Sequence, residues 1–208
     1  MPLSYPPSPW NLNATAYVSF WRVPAKDWRG SLSSKLGTGI RELTLFGSLN
    51  LCSGFVEYEP GGDLQYRELF LAVLARAGAR LGANLPLIWV DSIASLEGGR
   101  ALWGIPKQLG ALHLENGTLR AAANGRPIAS MSFEPGRRLL RRFPIPIRAT
   151  VMQARGSELV RTPIHVSAEV ECIRAQWYIP QDSALSVLQD RVPIMSLRLS
   201  NARLRFGA

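Results

Sequence analysis

The chain has 208 residues, of which 47% are hydrophobic and 19% are charged. This composition is typical of a folded globular protein and excludes an intrinsically disordered chain. Lys and Arg number 24 against 15 Asp and Glu, giving a formal net charge of +9 that raises nucleic acid as a partner. A chain of this length can bury a core, and we expect a single domain over residues 1–208.

A membrane span and a secretory signal are not expected. The nearest candidate for a span, 69–90, is interrupted by Arg76 and Arg80, and the N-terminus has no basic start followed by an apolar run. Cys52 and Cys172 lie far apart, so a disulfide stays open, but two reduced thiols are favoured. We therefore expect a cytoplasmic protein.

The arginines are scattered along the chain, with one cluster. Arg137, Arg138, Arg141 and Arg142 flank two leucines, and Phe143 is the one aromatic residue beside them. Binding of bases needs aromatic residues interleaved with the basic ones, so a solvated or subunit-contact surface is favoured over a nucleic-acid site. His and Cys are not clustered at metal-ligand spacing, and we expect neither a metal ion nor an organic cofactor.

The first third of the chain predicts an arm and then strands. Residues 1–12 are proline-rich and predict an arm that lies over the body or reaches a neighbouring subunit. Alternating apolar residues predict strands at 16–21, 43–47 and 54–58, and the Pro-Gly-Gly sequence at 60–62 predicts a turn.

Residues 66–76 are ambiguous, because their leucines and alanines favour a helix but no clear N-cap precedes them. The glycines and the proline that follow, and then the apolar run 87–90, favour two long strands of a hairpin. We adopt the strands.

A short helix is predicted next, with Asp91 or Ser92 as its cap and Glu97 at its end. The glycine pair 98–99 then turns the chain into a loop that carries Lys107.

The second half predicts hairpins and long strands. Asn-Gly dipeptides at 116–117 and 124–125 are strong hairpin signals. The further predictions are an extended segment at 144–146, a strand at 166–178, one or two helical turns at 183–189 and a strand at 194–206. The fold class is therefore mainly β (α+β), largely antiparallel with a few short helices.

Lys107 is conspicuous because the chain contains only two other lysines, Lys26 and Lys35, while every other basic position is arginine. Arginine stays protonated, whereas a lysine in an apolar site can lose its proton and attack a carbonyl carbon. Lys107 is therefore a candidate Schiff-base residue. The alternative is an exposed loop lysine, which is the commoner situation.

The sequence around Lys107 resembles the active-site segment of the acetoacetate decarboxylase family. The resemblance extends without gaps over about residues 55–112. Its matching elements are Tyr66-Arg67-Glu68, Asp91, Gly99-Arg100, Pro106-Lys107 and Leu109-Gly110.

The resemblance implies a cone-shaped antiparallel β-barrel, a homo-oligomer and a lyase that forms a Schiff base with a small keto acid. Lys107 would form the imine, and Glu68 would position the substrate or move a proton. The structural alternative for Glu68 is a solvated strand glutamate. Asp91 is favoured as a cap rather than an acid.

Three further residues are predicted to bind substrate. Arg100 would hold a carboxylate or tie the loop to the barrel, with the second role slightly favoured. Trp103 would form the pocket wall. Gln108 stands where the family has a second lysine, and would either bond the substrate or only fill that position.

Two departures from the family pattern bear on the reaction. The second lysine is replaced by Gln108, and the segment Asn13–Tyr17 lacks the arginine linked in the family to carboxylate binding. Decarboxylation and aldolase- or dehydratase-type chemistry therefore both stay open. The alternative function is a non-catalytic barrel that binds a small apolar or acidic ligand.

Overall fold

The computed structural model describes residues 4–28, 32–115, 117–138 and 144–208, without the side chains at 137 and 138. Within these ranges the chain is mainly β, as the sequence predicts. No helix in the described part is both long and apolar enough to cross a bilayer. The predicted arginine cluster falls on residues whose side chains lie outside this description.

Thirteen strands are described, and all belong to one sheet. In chain order they are β1 (Trp10–Pro24), β2 (Arg41–Glu42), β3 (Thr44–Leu45), β4 (Ser48–Glu59), β5 (Tyr66–Ala77), β6 (Arg80–Val90), β7 (Lys107–Leu109), β8 (Ala111–Glu115), β9 (Thr118–Ala123), β10 (Arg126–Arg138), β11 (Ile145–Arg155), β12 (Glu158–Tyr178) and β13 (Met195–Phe206). The helices are α1 (Ala25–Trp28) and α2 (Ile93–Trp103), with short 3-10 helices at Ser33–Leu36 and Ser186–Leu188.

The strand pairings close into a ring. Neighbours follow the order β6-β5-β4-β1-β13-β12, all antiparallel, and β11 pairs antiparallel with β12. β11 also meets β6 in parallel, at the registered pair Val151–Ala83, which completes the ring. The meander β8-β9-β10 extends from the last third of β12.

Alternation along the strands separates two apolar clusters, because successive side chains point to opposite faces of a sheet. In β1, Ala14 and Val18 belong to the cluster that also contains Trp10. Tyr17 and Trp21 belong to the other cluster, which includes buried residues of β9 and β10. The first cluster surrounds Lys107.

The predicted strand at 43–47 is confirmed only over Thr44–Leu45. Arg41–Glu42 pairs with β5 and Thr44–Leu45 pairs with β4, so the segment changes partner at residue 43. Phe46 and Gly47 then have φ values of 49° and 72°, which end an extended strand and form a turn.

The predicted arm is also shorter than expected, because β1 already begins at Trp10.

The predicted hairpins are confirmed where they are described. β5 and β6 pair antiparallel around Gly78, and β9 and β10 pair around Asn124 and Gly125, both of which have positive φ. β8 and β9 also pair antiparallel, although Asn116 lies outside the described residues. The predicted helical turns at 183–189 form only a short 3-10 helix at Ser186–Leu188.

Asn84 joins three segments where the ring closes. Its Nδ2 atom lies 2.8 Å from the carbonyl oxygen of Met152, 2.8 Å from Oε1 of Gln153 and 3.2 Å from the carbonyl oxygen of Leu36. Gln153 in turn donates to the carbonyl oxygen of Leu85 at 3.1 Å. These bonds hold β11 against β6, where the strand pairing itself is short.

We expect Asn84→Ala to lower the free energy of unfolding by about 2–3 kcal/mol, because it leaves buried acceptors without donors. Asn13→Ala is the control, since Asn13 is half-buried and donates one long bond; its effect should be within about 0.5 kcal/mol. Urea denaturation of both variants measures the difference. Equal effects would contradict the assigned role of Asn84.

Candidate active site

Helix α2 is longer than the sequence predicts. Ser92 caps it by accepting a hydrogen bond from the backbone nitrogen of Ser95, and the helix continues to Trp103. It ends at Gly104, which adopts φ = 66°. The prediction that the helix stops at Glu97 and that the glycine pair 98–99 forms a turn is therefore wrong.

The two interior glycines of α2 give neighbouring side chains room to approach the helix. A Cβ atom at Gly98 would overlap the ring of Trp10, and one at Gly99 would lie 2.8 Å from Cδ and Cε of Lys107. Glycine inside a helix costs about 1 kcal/mol relative to alanine. Here the packing of Lys107 and Trp10 directly on the helix backbone offsets that loss of helix stability.

Lys107 is the first residue of β7, and not a loop residue as predicted. β7 runs parallel to β6, with Lys107 opposite Ile88. Lys107 is only 4% exposed to solvent. Nε of Arg100 donates to the Lys107 carbonyl oxygen at 2.8 Å and so holds the start of β7 against α2.

Glu68 lies on β5, which pairs with β6 along the edge opposite to β7. On β5 it pairs with Val90, two residues from Ile88, and residues two apart on a strand share a face. The register therefore brings Glu68 and Lys107 together. Oε2 of Glu68 lies 2.9 Å from Nζ of Lys107, and Glu68 is 6% exposed.

Two hydroxyl groups complete the surroundings of the amine. Nζ of Lys107 lies 2.8 Å from Oγ of Ser95 and 3.3 Å from the hydroxyl of Tyr66. Its three hydrogen-bond partners are thus a carboxylate and two hydroxyls. The rings of Tyr66 and Trp10 lie 5.0 and 6.0 Å from Nζ, between centroid and nitrogen.

Tyr58 and Tyr66 stack on each other with ring centroids 4.3 Å apart, and both hydroxyls face Glu68. Tyr58 lies 3.3 Å from Oε1 and Tyr66 3.5 Å from Oε2. Burial raises the pKa of both phenols well above the ordinary value, and the charge of Glu68 raises each further. Both therefore remain protonated and donate to the carboxylate of Glu68.

A cavity of about 30 Å³ adjoins the amine, with room for one or two water molecules. Trp103 forms part of its wall, in edge contact with Trp10 and Phe206 at 4.7 and 4.5 Å between centroids. Lys107 and Glu68 are the charged residues of its described lining.

Arg100 and Gln108 lie elsewhere. Both line a separate surface pocket of about 610 Å³, together with Lys35 and Arg155, and neither lines the cavity at the Lys107 amine. Their predicted contact with substrate stays a prediction. The bond from Nε of Arg100 to the carbonyl oxygen of Lys107 is compatible with the tying role that the sequence slightly favoured.

Sequence reasoning missed Ser95, Tyr58 and Trp10, and it assigned Tyr66 no role. Two signals were available. Tyr66 lies two residues before Glu68 on one strand and so shares its face, and Tyr58 pairs with Tyr66 across the β4–β5 turn. Asp91, expected to be a cap, instead accepts a hydrogen bond from the backbone nitrogen of Arg67.

Comparison with known proteins decides the family. A family model described as acetoacetate decarboxylase matches residues 1–165, more than three quarters of the chain. The chain belongs to the acetoacetate decarboxylase family. This confirms the resemblance seen in the sequence. A search of curated proteins finds no match.

Solved structures of this family share the fold. An acetoacetate decarboxylase-like enzyme from Sphingomonas wittichii RW1 has a TM-score of 0.68 and 16% identity, over 98% of this chain and 92% of that one. Acetoacetate decarboxylase from Legionella pneumophila gives 0.65 and 17%, over 98% and 87%. The enduracididine biosynthesis enzyme MppR complexed with pyruvate gives 0.64 and 16%, over 97% and 89%.

We expect Gly99→Ala to destabilise the protein by about 1–3 kcal/mol, because the new Cβ overlaps the side chain of Lys107. In the Lys107→Ala background the same change should become neutral or stabilising, since helix propensity then favours alanine. Urea denaturation of the four proteins in this double-mutant cycle measures the coupling. Additive effects would contradict direct packing of Lys107 on Gly99.

The raised pKa values of Tyr58 and Tyr66 predict a loss of stability in alkali. The native state keeps these protons after the unfolded state loses them near pH 10, so the contribution is complete below pH 10 and is lost above it. Unfolding free energy should fall by up to about 1.4 kcal/mol per pH unit per tyrosine. Urea melts at pH 9, 10 and 11 should show a shallower fall in Tyr58→Phe than in the wild type.

Proposed function

We propose that the protein is a lyase that forms a Schiff base between Lys107 and a small keto acid. The observation that carries the proposal is the buried amine of Lys107, 2.9 Å from the carboxylate of Glu68 and beside an aromatic cavity. Membership of the acetoacetate decarboxylase family supports it. The closed ring of strand pairings supports the cone-shaped barrel that the resemblance implies.

Glu68 is the proposed proton carrier. A carboxylate 2.9 Å from Nζ can take one proton from the ammonium group, which leaves a neutral amine to attack the carbonyl carbon. The attacking nitrogen passes one proton to the carbonyl oxygen, which becomes the hydroxyl of a carbinolamine. This hydroxyl leaves as water after receiving the proton that Glu68 holds. The product of this stage is a protonated imine on Lys107.

The protonated imine then accepts the electron pair of a bond to the neighbouring carbon. That bond releases carbon dioxide, a proton or an aldehyde, and an enamine forms in each case. Reprotonation of the enamine carbon and hydrolysis of the imine return Lys107 to the amine. The hydroxyls of Tyr66 and Ser95 accept from Nζ of Lys107, and that of Tyr58 donates to Glu68, so these groups orient the amine and the carboxylate through these steps.

The placement of Gln108 favours aldolase- or dehydratase-type chemistry over decarboxylation. No second cation joins Lys107 among the described residues that line the cavity, whereas the family pattern supplies another lysine. One solved relative, MppR, is described as complexed with the condensation product of pyruvate and imidazole 4-carboxaldehyde. Condensation through a lysine enamine is the corresponding reaction here.

The same ion pair also favours the alternative function. A Lys107 amine that stays paired with Glu68 is engaged in the ion pair and does not attack a carbonyl carbon. Under this alternative the protein binds a small ligand without forming a covalent bond. Trapping of the imine distinguishes the two.

We expect incubation with pyruvate or acetoacetate and borohydride to add one substrate unit irreversibly at Lys107. Peptide mass spectrometry should locate the adduct there and not on Lys26 or Lys35, which are exposed and serve as internal controls. Lys107→Ala should abolish the adduct, while Lys26→Ala keeps it. Glu68→Gln should slow trapping by about 10²–10⁴-fold, because the proton carrier is removed.

Equal labelling of the three lysines, or no adduct with either keto acid, would favour the non-catalytic function. Proton exchange separates the reactions that remain. Loss of the pyruvate methyl signal in deuterated water, followed by NMR, reports enamine formation without decarboxylation.

A further inference from the structure

A groove of about 430 Å³ lies across β11, β12, β13 and β1. Its lining is basic and polar, and none of its described lining residues is acidic. The side chains that could bind a ligand are Arg148, His165, Arg203, Arg205, Asn11 and Asn13. Leu12 lines both this groove and the cavity at Lys107.

Strand register places the basic residues side by side. Arg148 is opposite His165, His165 is opposite Arg205, and Arg205 is opposite Asn11. Residues directly opposite in antiparallel strands share a face, with Cα atoms about 4.5–5.5 Å apart. Arg203 lies two residues from Arg205 on the same face. The groove therefore presents three guanidinium groups, one from β11 and two from β13, on either side of β12.

These charges have no counter-ion in the described part of the chain. Arg148, Arg203 and Arg205 form no ion pair there, whereas Arg198 on the same strand β13 pairs with Glu171 of β12. Arg203 and Arg205 lie two residues apart on one face of β13, and His165 stands between Arg205 and Arg148. These like charges repel one another, so the fold alone gains no stability from placing them together.

Three acidic groups near the arginines in the register are engaged outside the groove. Glu59 is opposite Asn13 and accepts a hydrogen bond from the hydroxyl of Thr15 at 2.7 Å. Asp63 accepts from the backbone nitrogen of Asn11 at 2.6 Å. Glu169 lies two residues beyond Ser167, which is opposite Arg203, and accepts from Nδ2 of Asn201 at 3.0 Å. None of the three lines the groove.

We propose that this groove binds a small anion with two or more phosphate or carboxylate groups. Arginine forks bind both groups through paired hydrogen bonds, and Asn11, Asn13 and His165 add further donors. The volume lies within the range of small-molecule sites. The site is separate from the chemistry of Lys107 and does not depend on it.

Isothermal titration calorimetry with inorganic pyrophosphate and with citrate tests the proposal. Wild-type protein should bind at least one of them, and the stronger probe identifies phosphate or carboxylate as the preferred group. Arg203→Gln/Arg205→Gln should weaken binding at least about tenfold, since bonds to charged groups are lost. The matched control Arg76→Gln/Arg80→Gln removes the same charge from exposed arginines of β5 and β6 and should bind like the wild type.

Three results would overturn the proposal. One is no binding of either probe to the wild type, and another is equal weakening in both double variants, which would indicate net charge alone. The third is tighter, Arg203-dependent binding of a 20-nucleotide single strand, which would indicate a nucleic-acid surface.

Arg148→Gln is the second variant if the first double variant does not fold. Borohydride trapping at Lys107 should be unchanged in the groove variants, so failure here is distinct from failure of the lyase proposal.

Discussion

The site depends on one buried ion pair, between Lys107 and Glu68. Two charges removed from water lose several kcal/mol of hydration each, and their attraction compensates only when close contact and further hydrogen bonds are present. Here the contact is 2.9 Å, and Ser95, Tyr58 and Tyr66 provide the additional bonds. The pair is therefore a demanding arrangement that the surrounding fold has to hold in place.

β6 is the element that makes the pair geometrically possible. It pairs antiparallel with β5, which carries Glu68, and parallel with β7, which carries Lys107. A parallel neighbour requires a crossover connection, and α2 provides it. The same helix supplies Ser95 to the amine and the glycine backbone on which the lysine chain lies. One crossover thus determines position, contacts and burial of the amine.

The sequence predicted the parts of this arrangement that depend on local pattern or on the family motif. The hairpin of β5 and β6 and the Asn-Gly turns follow from turn residues and alternation, and Lys107 and Glu68 follow from the resemblance. The length of α2 could not be predicted, because Gly98 and Gly99 are normally helix-breaking and are favoured here only by side chains from β1 and β7. Ser95 was missed for the same reason, since its contact with Lys107 exists only across the crossover.

The small cavity next to Lys107 limits which molecules reach the amine. A space of about 30 Å³ holds one or two waters, so a larger molecule enters only when residues of the cavity wall move. Trp10 and Phe206 of that wall lie opposite each other at the end of the β1–β13 pairing. Fraying of this strand end would widen the cavity, and the free energy of that local opening would then set how often the amine is accessible.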